Sequence, residues 1–506
     1  MTHLTQAKSP THNFLTDSIP RTTAQARPCR GYSKVLLVVF FLTLPLVNPW
    51  VRGDGVGYYA YIRSMLVEHK LDFRNDWRSA NGSFSMGRVR PDGTINPLEF
   101  TRTGCLNNHF TVGPALLWAP FLVPVHGVMV ALQRLGVGVQ ATGYSRSYLV
   151  PMAVGTALYG FLGLLLSFRL AFAYTEEHWA FLATLGVWFA SSLPVYMYFN
   201  PSWSHAHSVF VVAVFLWYWH RTRQLRTLAQ WVTLGFLSGL MLDVYYLNAA
   251  VLLIPLLESV RQYGRHWRSS KREWGAMGRL FKANVVYCFV LLVAFLPTLI
   301  TRKIIYGNPF DLGYSNEWTR TPALVEVLFS SDHGLLTWTP ILAVAIAGLF
   351  LLRKHDRELS EYLVVSFLVF YVLVSLHTAW DGLASFGNRF FISLTPFFIL
   401  GLAISLSEFA KWVGHEKKAW AIASFVTALF VLWNLAFIFQ WGTHMVPVRG
   451  PISWKQMVRN QFIAVPQRAG KELAAYFENR SGLMHYIEQE DVRQLQEQGA
   501  GVRRQK

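Results

Sequence analysis

Arg52-Gly53-Asp54-Gly55-Val56-Gly57-Tyr58-Tyr59 directly follows the first apolar run of this sequence, residues 32–50. The stretch places an ionisable carboxylate between glycines at the point where a membrane helix would end. A charged group near hydrocarbon is costly unless it has partners or water, so Asp54 is a candidate functional residue. The glycines relax the backbone and leave room for a ligand to come close. The simpler alternative is that Asp54 ends a helix and faces water.

The residues after this stretch are expected to form a short helix. Between residues 57 and 70, apolar side chains recur at helical spacing, and charged side chains such as Arg63 and Glu68 fall opposite them. Such a pattern predicts an amphipathic helix that lies on the membrane surface.

Composition places the whole chain in a membrane. Of its 506 residues, 53% are hydrophobic and only 15% are charged, whereas soluble domains carry roughly 25% charged residues. Several apolar runs reach the roughly 20 residues needed to cross the hydrocarbon core, which excludes a soluble enzyme with one anchor. The net charge of +18 comes largely from basic residues between these runs, so it indicates topology rather than nucleic-acid binding. The cysteines at positions 29, 105 and 288 have neither disulfide nor metal spacing.

The order of the apolar runs predicts an all-α polytopic protein of about 11 transmembrane helices. Short basic connections, such as those at residues 220–226 and 353–357, are expected in the cytoplasm. An even number of crossings must then separate Asp54 from the loop at Asn200. Residues 107–132 are therefore expected to be an apolar element on the outer face, broken by its prolines rather than spanning. Residues 228–260 should form a tight hairpin of two short spans that turns at residues 243–246.

This topology divides the chain into segments. Residues 1–31 are expected to be a disordered cytoplasmic N-terminus, and residues 32–441 a transmembrane domain. Residues 51–147 are expected to be a long first periplasmic loop with juxtamembrane helices. Residues 442–506 should form a polar periplasmic tail, with helices near 467–476 and 491–498.

Acidic, histidine and aromatic side chains collect on the outer side, so the chemistry is expected there. Transfer of a group carried on a lipid phosphate needs a general base for the incoming hydroxyl and a cation for the departing phosphate. Asp54, between helix ends, can accept the proton. Arg389 begins a span on the outer side, and its guanidinium can bind two phosphate oxygens at once. The alternative for Arg389 is an interfacial arginine that reaches lipid headgroups.

Other residues on the outer side are candidates for substrate binding. Trp380 and Asp381 pair an aromatic face with a carboxylate, which is a common way to hold a sugar ring and is also typical of an interfacial belt. His205 and His207 are two residues apart, which is poor spacing for joint metal binding from a helix. No stretch has strong metal-ligand spacing, so a divalent metal is left open. The candidate substrate-binding residues are Tyr58, Tyr59, His109, His205, Asp243, Trp380, Asp381 and Arg389.

Two other classes of protein compete with a transferase. A lipid or solute transporter should show internal repeats and broken helices at mid-membrane, and neither is visible in the sequence. An envelope polysaccharide polymerase or ligase would use outer arginines and histidines rather than an aspartate after the first span. The sequence has no P-loop, dinucleotide-binding glycine pattern or Gly-x-Ser-x-Gly elbow, so it gives no support for soluble nucleotide chemistry.

The order of these features resembles the GT-C superfamily of integral-membrane glycosyltransferases, which includes protein O-mannosyltransferases and the lipid A aminoarabinose transferase. The stretches that carry the resemblance are 53–59, 108–114, 334–340 and 385–390, and it extends over roughly residues 32–441. It implies that Asp54 is catalytic and that the donor is a polyprenyl-phosphate-linked sugar. It further implies transfer with inversion on the periplasmic side of the bacterial inner membrane, to an acceptor that the sequence does not identify.

This chain departs from that family at two positions. Many members place a second acid next to the first, where this sequence has Gly55. Several also carry an acid in the second outer loop, where this sequence has Asn200, His205 and His207. Both departures bear on metal use and on the branch of the superfamily to which the chain is similar.

Overall fold

The structure is a computed structural model that describes residues 31–223, 226–269, 273–313, 318–447 and 449–504. Over these ranges the chain is helical, and its only extended pairings are isolated bridges, which confirms the predicted all-α class. The predicted disordered segment 1–31 lies outside the described residues except for Gly31.

Helices of very different length make up the fold. They are α1 (Tyr32–Thr43), α2 (Asp54–Val67), α3 (Arg74–Arg78), α4 (Gly82–Ser85), α5 (Gly113–Arg134), α6 (Arg146–Phe172), α7 (Glu177–Phe189), α8 (His205–Thr222), α9 (Leu228–Val244), α10 (Leu253–Arg268), α11 (Trp274–Ala294), α12 (Leu296–Tyr306), α13 (Leu324–Phe329), α14 (Leu335–Trp338), α15 (Ile341–Leu351), α16 (Arg357–Ser375), α17 (Thr395–Val413), α18 (Glu416–Gly442), α19 (Trp454–Arg459), α20 (Val465–Glu478) and α21 (Arg480–Arg504). Helices α20 and α21 confirm the two helices predicted in the tail.

Six of these helices are long and apolar enough to cross a membrane, which makes this a multi-pass membrane protein. They are α5, α6, α11, α16, α17 with the 3₁₀ turn before it (Arg389–Val413), and α18. Tyr32–Leu46 and Leu228–Val244 are shorter apolar helices. The total of about 11 spans stays a prediction.

One end of the helix bundle is held together by ion pairs between the basic connections and acidic residues. Arg223, after α8, pairs with Asp356 at the start of α16. Lys354 Nζ lies 2.8 Å from Glu408 Oε2 on α17. We call this the basic end. The opposite end carries Asp54 and is called the site end.

A hairpin is present at residues 228–260, and the prediction that its two arms span the membrane stays a prediction. Helix α9 ends at Val244, a 3₁₀ turn covers Tyr246–Leu252, and α10 then returns toward the basic end. The amide of Asn248 closes the turn by donating to the carbonyl of Met241, at 3.1 Å. The turn therefore lies at the site end, where its tyrosines approach α2.

The apolar element after residue 107 differs from its prediction. Pro120 and Pro124 do not break it, because both lie inside the continuous helix α5. Each proline removes one backbone donor, and a helix of 22 residues keeps its remaining bonds.

The contacts of α5 show where its ends lie. Trp118 Nε1 donates to Thr156 Oγ1 at 2.9 Å, and His126 Nδ1 lies 2.8 Å from the hydroxyl of Tyr148. The two helices are therefore antiparallel, and α5 runs toward the beginning of α6. Its first residue, Gly113, packs against the end of α9. By length and composition, α5 could span the membrane.

Helix α2 is also different from its prediction. It begins at Asp54 itself, and residues 55–64 are all buried rather than exposed along one face. Even Arg63, expected on the polar side, has a side chain only 2% exposed, because Asp76 and Glu68 pair with it. The elements after α2 cover this polar side, so α2 is an internal helix and not a surface one.

Candidate active site

Three glycines allow α2 to begin in close contact with neighbouring side chains. Gly53 has a φ of 52°, a left-handed conformation that favours glycine. A Cβ at Gly53 would lie 3.0 Å from the ring of Trp203, and a Cβ at Gly55 would collide with the side chain of Ser202. Gly57 is packed against Phe110 in the same way. The spacing of these glycines therefore lets the helix that carries Asp54 contact the segment before α8.

Asp54 forms an ion pair with Arg389. Arg389 Nη1 lies 2.5 Å from Asp54 Oδ2, across 335 positions of the sequence. The arginine side chain is 11% exposed and the aspartate side chain 31% exposed. The residues predicted to act as base and as phosphate ligand thus lie together. In this structure they bind each other.

Aromatic and hydroxyl groups surround this pair. The guanidinium of Arg389 lies 4.5 Å from the ring centre of Trp203, a cation–π contact. Ser204 donates to the hydroxyl of Tyr58 at 3.0 Å. Burial and the nearby Asp54 carboxylate raise the pKa of Tyr58, so its phenol stays protonated. Tyr245, in the turn after α9, is close enough to interact electrostatically with both members of the pair.

Two histidines come near the pair from different sides. The ring of His205 is buried against Tyr196 and Tyr245, within electrostatic range of Arg389. His109, in the segment before α5, interacts electrostatically with Asp54. Burial lowers the pKa of His109 to about 4, so its imidazole is neutral at pH 7.

A folded loop before α17 holds Arg389 in place. The amide of Asn388 donates to the carbonyl of Trp380 at 3.0 Å, and Phe386 N–H donates to the hydroxyl of Tyr196 at 3.1 Å. Gly382 packs so closely that a Cβ there would lie 3.3 Å from the Arg389 side chain. The loop therefore fixes the guanidinium, while its Nε remains buried without a hydrogen-bond partner.

Two of the predicted substrate-binding residues serve the fold instead. The hydroxyl of Tyr59 donates to the carbonyl of Gly143 at 2.7 Å, and its ring packs on Trp118. Asp243 accepts hydrogen bonds from the backbone and hydroxyl of Thr298, at 3.2 and 2.5 Å. It therefore caps the start of α12. Successive residues of a helix point in different directions, so Tyr58 faces the site and Tyr59 does not.

Trp380 and Asp381 form part of a neighbouring group rather than contacting Asp54. The carbonyl of Asp381 lies 2.9 Å from Nδ1 of His333, and the Asp332 carboxylate is beside them. Ligand atoms of Asp332, His333 and Asp381 all lie within 4.8 Å of one another. Burial and Asp381 raise the pKa of Asp332 to about 6, while burial lowers the pKa of His333 to about 4. These are the residues that could hold a metal.

Comparison with known proteins gives structural matches only. Among the solved structures that match, two each cover 81% of this chain and 70% of the other chain, at 15% sequence identity. One is ArnT from Cupriavidus metallidurans bound to undecaprenyl phosphate, with a TM-score of 0.46. The other is the same protein in the apo state, with a TM-score of 0.43.

Both matches are distant in sequence and in structure. At this identity and TM-score they say nothing of substrate or mechanism for this chain. No family model matches the sequence, and no curated protein matches it.

Sequence reasoning missed two parts of the site. Trp203 lies in the stretch 200–207, whose histidines are candidate residues in the sequence. Its cation–π contact depends on where the fold places Arg389. Arg449, from the tail, interacts electrostatically with Asp54, Asp381 and Arg389. Its Nε is buried without a hydrogen-bond partner. No local pattern near residue 449 indicates this position.

The tail also secures the segment that leads to Asp54. Arg52 pairs with Asp491 on α21, and Asp491 Oδ1 lies 2.8 Å from His444 Nε2. Glu488 accepts hydrogen bonds from the Asn81 side chain at 2.9 Å and from Ser83 N–H at 2.6 Å. The tail, for which the sequence suggests no chemistry, is therefore part of the wall beside the site.

Part of the Asp54 side chain is exposed at the surface of the protein. A cavity of about 490 Å³ is lined by tail residues 453–467, and a much smaller one lies below Asn388. Asp54 lines neither of them. The exposed 31% of its side chain is the part that a substrate can reach.

Chemically, the arrangement offers a base and a cation in direct contact. The carboxylate can accept a proton, and the guanidinium can bind an anion. Aromatic rings beside them offer flat apolar faces, and the neutral imidazole of His109 lies within electrostatic range of Asp54.

Proposed function

We propose that this chain is a glycosyltransferase of the bacterial inner membrane. It moves a sugar from a polyprenyl-phosphate donor to an acceptor on the periplasmic side, with inversion at the anomeric carbon. Its N-terminus would be cytoplasmic and its C-terminus periplasmic. The observation that carries the proposal is the partly exposed Asp54 carboxylate, held against the buried Arg389 guanidinium at one end of a membrane bundle.

The ion pair suggests how donor binding and base activation are linked. Arginine binds phosphate oxygens through two parallel N–H groups, and Arg389 still has its Nε free. The donor phosphate therefore competes with Asp54 for the same guanidinium. Binding of the donor releases the carboxylate next to the sugar, where it can act as a base.

In the transfer step, Asp54 removes the proton from the acceptor hydroxyl. The acceptor oxygen then forms a bond to the anomeric carbon, and the bond from that carbon to the phosphate oxygen breaks. The departing lipid phosphate keeps the electron pair, and Arg389 stabilises its negative charge. Tyr58 and Trp203 supply aromatic faces for the sugar, in place of the predicted Tyr59.

Transfer activity of the purified full-length chain in detergent tests this proposal. Labelled polyprenyl-phosphate sugars would be incubated with the protein and with an envelope lipid or glycan fraction as acceptor. We expect Asp54→Asn to lower the rate of transfer by about 10²- to 10⁴-fold, the usual contribution of a general base. Asp72→Asn is the matched control, because Asp72 pairs with Lys70 and Arg74 away from the site.

The outcome separates the competing classes. A transporter would release no sugar from the phosphate in any variant. A polymerase or ligase that relies on arginine and histidine would keep its activity in Asp54→Asn. Either result contradicts the proposal, provided that the variant elutes as a monodisperse protein with wild-type helix content.

A further inference from the structure

Asp332, His333 and Asp381 form a compact group beside the Asp54–Arg389 pair. One ligand atom from each side chain lies within 4.8 Å of the others. His333 is only 1% exposed, and both aspartates are partly buried. Gly382, directly after Asp381, packs against Arg389. The group therefore adjoins the candidate active site and is distinct from it.

The hydrogen bond of His333 determines which ring nitrogen is free. Its Nδ1 lies 2.9 Å from the backbone carbonyl of Asp381. A carbonyl only accepts, so Nδ1 carries the hydrogen and Nε2 carries a lone pair. Nε2 is buried and has no hydrogen-bond partner. Metal-binding histidines usually have this arrangement, with the second ring nitrogen donating to a carbonyl or carboxylate.

Asp332 has an unsatisfied oxygen as well. Its Oδ1 is buried without a hydrogen-bond partner and lies 3.8 Å from His333 Nδ1. In the described ranges, no lysine or arginine nitrogen lies within 4 Å of the carboxylate of Asp332 or Asp381. Arg449 interacts with Asp381 only over a longer distance. Buried polar atoms normally have partners, so the unpartnered Nε2 of His333 and Oδ1 of Asp332 in one compact group indicate a cation.

We propose that Asp332, His333 and Asp381 bind a divalent transition-metal ion, zinc or manganese. One imidazole nitrogen and two carboxylate oxygens suit these ions, whereas magnesium and calcium prefer oxygen ligands alone. Ligand atoms around zinc lie about 3.4 Å apart for bonds of about 2.1 Å, so these side chains, whose ligand atoms lie within 4.8 Å of one another, need to close around the ion. Three protein ligands leave a position for water or a substrate oxygen.

Metal content of the purified full-length protein tests this site without any activity assay, so the result does not depend on the proposed transferase function. The protein in detergent would be stripped with a chelator, dialysed against Zn²⁺ or Mn²⁺, freed of excess ion and analysed by mass spectrometry. We expect about one ion per chain in the wild type. Asp332→Asn, His333→Gln and Asp381→Asn should each lower occupancy at least about 10-fold at equal free metal.

Matched controls are Asp92→Asn and His485→Gln, which remove an exposed carboxylate and an exposed imidazole elsewhere. Both should keep wild-type occupancy. Replacement with Co²⁺ gives a second readout that needs no variant, because cobalt bound to an imidazole and carboxylates absorbs visible light. A wild-type chain without bound metal or cobalt absorption would overturn the proposal. So would binding of Mg²⁺ alone, or full occupancy in Asp332→Asn.

Discussion

Asp54 and Asp76 each lie beside an arginine and an aromatic ring, yet the two pairs are built differently. Arg63 contacts both oxygens of Asp76, at 2.7 and 3.0 Å, and also pairs with Glu68. Arg389 contacts one oxygen of Asp54. The Asp76 side chain is 3% exposed and that of Asp54 is 31% exposed. The first pair is closed and fixes α2, while the second is open to a ligand.

The environment of Asp76 shows the cost of a closed pair. Burial raises the pKa of Asp76 to about 7, and Arg63 only partly opposes this. A charge that loses its water is not fully compensated by its partner. Asp54 keeps part of its hydration, which suits a group that must exchange partners during a reaction.

The largest expected effect is on sugar transfer, and it distinguishes Arg389 from Arg63. Arg389→Lys keeps a positive charge but removes the planar group that stacks on Trp203 and can bind two phosphate oxygens. We expect transfer to fall by about 10²- to 10³-fold, the range seen when one stabilising donor is lost. The melting temperature should change by only a few degrees. Sugar transfer by Arg389→Lys at the wild-type rate would contradict this difference between Arg389 and Arg63.

Arg63→Gln should act on stability instead. It leaves Asp76 and Glu68 buried without their cation, which costs about 3–5 kcal/mol of the free energy of unfolding. Chemical denaturation followed by helical circular dichroism measures this. Arg74→Gln, on an exposed arginine nearby, is the control.

The pH dependence of this loss follows from the raised pKa of Asp76. The folded state binds the Asp76 proton more tightly than the unfolded state, so the free energy of unfolding falls as pH rises from about 4 to about 7. Without Arg63 the pKa of Asp76 should rise further, so the fall should continue to higher pH. Arg63→Gln should therefore destabilise more at pH 8 than at pH 5. An equal loss at both values would contradict the account of Asp76.

Gly55→Ala tests the packing that positions the open pair. The added methyl group meets Ser202, and overpacking of this kind costs about 1–3 kcal/mol. Because the shift moves the helix that carries Asp54, we expect transfer to fall together with the melting temperature. Ser202→Gly in the same chain should restore both. Gly127→Ala on α5, where a Cβ meets nothing, should change neither.

Asp491→Asn should have the smallest effect. It weakens the contact of the tail with Arg52, two residues before Asp54, but Arg52 keeps a second acid, Glu488, at 3.9 Å. We expect kcat for transfer to fall a few-fold while KM for the donor stays unchanged. Asp92→Asn is a suitable control. A wild-type kcat would show that the tail does not position Asp54.

Much of the architecture could be predicted from the sequence, because hydrophobicity and charge act locally. The length of the apolar runs determines membrane insertion, and the basic connections identify one end of the bundle. The turn at residues 243–246 and the two tail helices also follow from local pattern. The prolines of α5 were misleading because a long helix tolerates them when its other backbone bonds are kept.

The sequence indicates Asp54 as a candidate through its neighbours, since glycines lie on both sides of this acid directly after an apolar run. Its partner is not visible, because an ion pair across 335 positions depends on how the helices pack. For the same reason, only the tertiary structure shows that Tyr58 faces the site and Tyr59 does not. The proximity of Asp332 and His333 to Asp381 likewise depends on how the loops fold, because the three residues do not have the spacing of metal ligands along the chain.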